Sequence, residues 1–217
     1  ITADSATKTY DGTELTDDGW EDTEPDGLIG EDEVESVTVT GSQTLVGSSE
    51  NVPSEAKVVD AAGADVTESY EIEYVNGTLT VTDGTNPGDD TLDPDDVATK
   101  MHNDTEYKYG DTITWTIKAT NIYDEAKTIT LTEQEGVTLE QSEFVDVAPG
   151  AKIETTATYV VKASDVGNKV TNTVTVSYSG GTTIEQDDET PEIQKAKLTI
   201  TADSATKTYD GTELTDD

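Results

Sequence analysis

The chain has 217 residues, with 48 Asp and Glu against 12 Lys, no Arg, and a formal charge of −36. That balance argues against nucleic acid as a partner, because cationic side chains must neutralise phosphates, and against attraction to anionic membranes. Cys is absent, which excludes disulfides and thiolate chemistry, and no apolar run is long enough to read as a membrane insertion or an export signal.

High acidity with 32% hydrophobic residues can signal disorder. Here it is set against repeated Val/Ile/Thr/Tyr alternation, which predicts folded β domains with acidic surfaces. The first eighteen residues, Ile1–Asp18, recur unchanged as Ile200–Asp217. Surface positions can change at little cost, yet Asp4, Lys8 and Glu14 return as faithfully as Tyr10 and Leu15. This identity reads as recent duplication, one window on a tandem array; an engineered chain with a copied end would read the same way. Leu198, Ile200 and Ala202 alternate with Thr199 and Thr201 as a half-buried strand does. Ile1 therefore starts mid-strand, and its natural lead-in is represented by Ala196–Thr199.

Asp11-Gly12 marks a turn. The acidic segment Asp17–Glu33 has Trp20 as its one large anchor. Strands are expected at Val37–Val39, Leu45–Val46 and Lys57–Val59. Two alternating runs, Tyr70–Val75 and Thr78–Val81, flank Asn76-Gly77 and predict a type I′ hairpin. TKTYDGT at Thr7–Thr13 together with YEIEYVNGTLTVT at Tyr70–Thr82 resembles the YDG/MBG-type domains repeated in large bacterial surface proteins. The resemblance implies a small all-β module without catalytic residues.

Asp83–Asp96 is a linker by composition. Asp89, Asp90, Asp93, Asp95 and Asp96 are candidate calcium ligands there, although their spacing does not match an EF-hand loop, and a solvated spacer is the simpler reading of them. The boundaries read as a first domain at 1–83, a linker at 84–95, a second domain at 96–190, and a linker with the next repeat's start at 191–217.

In the second domain Ile113, Trp115, Ile117 and Ala119 share one strand face. Ile129, Leu131 and Glu133 share another, and Asn172, Val174, Val176 and Tyr178 a third. Seven or so strands with regular turn signals predict an Ig-like sandwich. The fold class is thus all-β, with two small domains in tandem. YKYGDTITWTIKATN at Tyr107–Asn121, VAPGAKIETTATYVV at Val147–Val161 and NKVTNTVTVSY at Asn168–Tyr178 resemble the conserved Ig-like repeats of bacterial surface proteins. One departure is Glu133, where that family commonly has Asp.

Parity places Glu133 and Asn172 toward the core, where an unsatisfied carboxyl or amide is costly. Lys100 lies in the domain's first strand, sharing parity with Ala98 but not with Val97 and Met101. Lysine, asparagine and an acid are the components of the self-forming isopeptide in Ig-like domains of Gram-positive adhesins and pilins. The resemblance thus implies that Lys100, Asn172 and Glu133 form such a cross-link, with Glu133 as the proton-transferring acid. The bland alternative is a hydrogen-bonded Asn172, a solvated Glu133 and a snorkelling Lys100. His102 alone makes no metal site and reads as a surface residue. No nucleophile–base grouping supports an enzyme.

The expectation is a structural stalk or spacer repeat of a bacterial adhesin or fibre, extracellular at the cell surface or wall, with neighbouring repeats as its partners. An adhesive module binding a host protein or glycan is the second reading. No cofactor is expected beyond calcium at the linker.

Overall fold

A computed structural model describes residues 1–22 and 27–215; the middle of the acidic segment and the last two residues of the duplicated stretch lie outside this range. The chain is all-β, with two domains in tandem.

In the first domain, β1 (Thr2–Ala3), β2 (Ala6–Thr9), β3 (Trp20–Glu21), β4 (Glu33–Thr40), β5 (Gly47–Val59) and β6 (Gly77–Thr82) carry the fold. Four strands form a sheet in the order β2-β6-β5-β4, with β2 parallel to β6 and the other pairs antiparallel. The first part of β5 pairs β6 and the rest pairs β4, so one long strand serves two neighbours. Glu55, at φ 51°, sits where the β4–β5 register shifts, the signature of a bulge. The inward side chains are Ala3, Val58, Val59, Leu79 and Val81, all buried. Asn51 is fully buried, and its amide donates to the carbonyls of Asp4 and Asp17 at 3.0 Å each. It thereby holds the β1–β2 connection and the irregular stretch between β2 and β3 against the sheet.

The expected hairpin at Asn76-Gly77 is not formed. Tyr70–Asn76 contains no strand, and its end runs parallel to β1 instead: Ile1 donates to Glu73 O at 2.8 Å and Val75 to Ile1 O at 2.8 Å. Gly77 lacks the positive φ that a type I′ turn needs. Its role is close approach, since a Cβ there would lie 2.1 Å from the backbone oxygen of Asp4.

After β6 the connector buries Leu92 and makes one helical turn, Pro94–Val97, capped by the Asp93 side chain. The second domain follows with β7 (Ala98–His102), β8 (Thr112–Thr120), β9 (Lys127–Glu133), β10 (Thr138–Leu139), β11 (Glu143–Val147), β12 (Lys152–Val160), β13 (Thr171–Tyr178) and β14 (Thr183–Glu189). One sheet has the order β10-β12-β8-β7, the other β11-β9-β13-β14, and all pairs are antiparallel. Between the sheets lie Ile113, Trp115, Ile117, Ile129, Leu131, Val174 and Val176, each at most 2% exposed. These are the positions whose alternation predicted the strands.

The two domains share backbone and side-chain contacts. Val46 N donates to Ile122 O at 2.7 Å, and Asp124 N donates to Val46 O at 3.1 Å. The Tyr123 hydroxyl donates to Asp83 at 2.7 Å and accepts from Thr182 N at 2.7 Å. Tyr10, Val81 and Leu92 belong to the same apolar cluster as Trp115.

Candidate functional site

The functional geometry lies between the sheets of the second domain. Lys100 is on β7 of one sheet, paired with Ile117; Glu133 ends β9 of the other, paired with Val174. Asn172 is two residues from Val174 on β13, so the period of two puts it and Glu133 on the same inner face. Lys100 Nζ donates to Glu133 Oε1 at 2.7 Å, with side chains 0% and 3% exposed. Asn172 is fully buried.

Lys100 points inward because Ala98 and Lys100 form the buried face of β7, while Met101 is 67% exposed. Val97, which confused the parity, closes the preceding helical turn and is not part of the strand. The Lys100 ammonium group lies 5.6 Å from the ring centroid of Trp115, so an aromatic face rather than water covers it.

Burial pushes the Lys100 amine down, against the opposing pull of Glu133. Burial pushes the Glu133 carboxyl up, against Lys100 and the nearby Asn172 amide. Both shifts move the pair toward a neutral amine and a neutral acid. The Asn172 side-chain oxygen and nitrogen and Glu133 Oε2 are buried without a hydrogen-bond partner. An amide in that position forfeits its bonds to water with no return. Chemically the three groups supply a nucleophile, an electrophilic carbonyl and a proton carrier in a space shielded from bulk solvent.

A second group lies beside them. Asp188 Oδ2 accepts from Trp115 Nε1 at 2.9 Å, from His102 N at 3.0 Å and bonds His102 Nδ1 at 2.6 Å. Asp188 therefore fixes the indole that covers Lys100. Nothing in the sequence marked it, since it sits in an acidic run on an edge strand. His102 is not a bare surface residue; the carboxylate of Asp188 holds it half-buried.

The linker aspartates do not converge. Asp93 caps the helical turn, Asp89 accepts from Asn86, and Asp95 accepts from Gln186. Asp90 contributes its backbone carbonyl to Thr9, and burial, followed by the like charges of Asp93, Asp11 and Asp95, raises the Asp96 carboxyl. Among the described residues no three His, Cys, Asp or Glu side chains are grouped to hold a metal ion.

No family model and no curated protein matches the chain. Among solved structures it is similar to a FixG-related protein from Vibrio parahaemolyticus, at 13% identity and a TM-score of 0.33, over 44% of this chain and 94% of that one. It is also similar to the alpha-2-macroglobulin of E. coli in its native conformation, at 15% identity and a TM-score of 0.29, over 72% of this chain and 9% of that one. Neither likeness bears on the role of this chain.

Proposed function

We propose that the chain is a structural spacer, one repeat of the stalk of a bacterial surface adhesin or fibre, whose second domain is locked by an isopeptide bond between Lys100 and Asn172. The observation that carries this reading is the buried Asn172 amide without a hydrogen-bond partner, in the same enclosed group as the Lys100–Glu133 pair. An unsatisfied amide is costly as a resting structural element and makes sense as a reactant.

The reaction balances without a cofactor. Proton transfer from Lys100 to Glu133 leaves a neutral amine and a carboxylic acid. The Lys100 nitrogen attacks the Asn172 side-chain carbon while Glu133 donates its proton to the carbonyl oxygen. Glu133 then takes a proton from the attacking nitrogen and passes it to the leaving amino group; as the C–N bond breaks and ammonia departs, the hydroxyl proton returns to Glu133 and the carbonyl re-forms, leaving the amide, ammonia and a neutral Glu133. The new amide bond ties β7 of one sheet to β13 of the other. In a chain without Cys it does what a disulfide would do.

The duplicated Ile1–Asp18 sequence supports the array, and the acidic surface keeps neighbouring stalks apart. Extending single molecules by force tests the mechanical role. The segment between Lys100 and Asn172, roughly 70 residues, would stay folded back on its tie, so the extension falls short by about 240 Å. Full extension of the second domain would defeat the proposal.

A further inference from the structure

A spacer in an array is pulled along its own chain, and the topology of the first domain sets what that pull meets. Its opening and closing stretches lie side by side and run the same way. Thr2 bridges Val75 in parallel, and β2 pairs with β6 in parallel, with Ala6 opposite Leu79 and Thr9 opposite Thr82. The seam is bonded beyond these pairs: Ala3 N donates to Val75 O at 3.0 Å, Thr78 N to Ser5 Oγ at 2.9 Å and Tyr10 N to Thr82 O at 2.9 Å. The domain's two lysines are engaged elsewhere, Lys8 with Asp11 and Lys57 with Glu35, and neither is a partner of the buried Asn51 amide. A Lys–Asn tie is therefore not built into this domain.

Direction decides how that seam responds. Load from the N-terminal side reaches β2 through the backbone at its Ala6 end, and load toward the second domain leaves β6 at its Thr82 end. In a parallel pair these are opposite ends of the ladder. The two strands are therefore drawn past one another, and all the hydrogen bonds between them are strained together. Strands loaded at a shared end open one bond at a time instead. Beyond Thr82 the chain crosses the buried Leu92 and the helical turn Pro94–Val97 and enters β7, where Lys100 lies.

We infer that the first domain carries load through a shear clamp, β2 against β6, set in series with the Lys100–Asn172 tie of the second. The load line runs through β2, β6, the connector, β7, the tie and β13, and it bypasses β3–β5 and β8–β12. One domain thus resists by hydrogen bonds loaded in concert, the other by a covalent bond. The clamp takes its purpose from the spacer reading, but its strength is a property of the first domain alone. Rupture under force reports the unfolding barrier, not the equilibrium stability, so strength and melting temperature separate.

The absence of Cys lets force be applied at chosen sites of the full-length chain. In one arrangement handles are attached at Ile1 and Asp217; in the other, at Glu14→Cys and Asp217. Glu14 is exposed and follows the Thr82 end of the ladder, so load there unzips the pairs in turn. Under terminal load, opening of the first domain adds roughly 280 Å for the stretch Ile1–Thr82, at a force expected to be severalfold above that for load at Glu14. Because Tyr10 N faces β6, alternation turns the Ala6 N–H toward β6 and the Thr7 N–H to the open edge of the sheet. Ala6→Pro should lower the rupture force and Thr7→Pro leave it near the parent's. Val34→Ala on β4, off the load line, should lower the melting midpoint without lowering the force. Equal forces in the two arrangements, or forces that simply follow the melting midpoints of the three variants, would overturn the clamp. Full extension of the second domain with the two forces still apart would strike the covalent tie and leave the clamp standing.

Discussion

Glu133→Gln keeps the shape of the buried side chain and removes its capacity to hold and return a proton. If Glu133 carries the proton between amine and amide, the variant folds but does not form the tie. The consequence can be sized from the loop. Joining Lys100 to Asn172 closes roughly 70 residues, and the chain-entropy relation for a covalent link of that span gives about 4 kcal/mol. For a domain near 100 residues each kcal/mol moves the midpoint by about 4–8 °C, so the second domain should melt roughly 15–30 °C lower. Lys100→Met is the companion variant: it removes the nucleophile but leaves Glu133 buried without its cation, so a cost of up to about 3–5 kcal/mol adds to the loss of the tie. Both variants should therefore melt lower in scanning calorimetry, Lys100→Met by at least as much as Glu133→Gln. A second-domain transition within a few degrees of the parent in both would refute the covalent tie.

Further outcomes follow from other contacts. Tyr123→Phe removes a hydroxyl that donates to Asp83 and accepts from Thr182 N; leaving these groups unpaired should cost about 1–3 kcal/mol in denaturant unfolding. The Asp83 carboxyl, which burial would raise but hydrogen bonds from Thr85 and Tyr123 hold low, should titrate higher in that variant. Asp188→Ala strands the Trp115 indole N–H and two His102 donors and should cost about 1–3 kcal/mol, with slower ammonia release as the indole over Lys100 loses its anchor. The Asp11 carboxyl is held down to about 2, chiefly by its hydrogen bond from Lys8 and then by Thr13. A depressed pKa stabilises the turn above the unfolded value near 4, and that contribution is lost as pH falls through about 2. Asp210, whose pKa is lowered first by its hydrogen bonds from Thr212 and then by Lys207, should also titrate below a free aspartate by NMR, and a coil-like titration there would show that the tail turn is not preformed.

Much of the second domain was legible because its strands are regular. Ile113, Trp115 and Ile117 alternate without a break, and the same period carried Asn172 inward beside Val174 and Val176. Lys100 was ambiguous since the helical turn ending at Val97 shifts the phase just before β7. The first domain was harder. The bulge at Glu55, together with Pro53 in the strand, breaks the alternation of β5, so of a strand of thirteen residues only Lys57–Val59 was legible. Asn76-Gly77 has the composition of a hairpin turn, but Gly77 is needed for contact with the Asp4 backbone, and the segment before it pairs with β1 from far away in sequence. The contacts of Val46 with Ile122 and Asp124, and of Asp83 with Tyr123, join distant residues that no local pattern connects. Asp188 was hidden among other acids for the same reason.

The central claim is covalent and can be read by mass. The intact, fully denatured chain should weigh one ammonia less than its sequence, and its peptide map should contain a branched peptide joining Lys100 to Asn172. A folded sample whose denatured mass equals the sequence mass, with Lys100 and Asn172 on separate peptides, would contradict it.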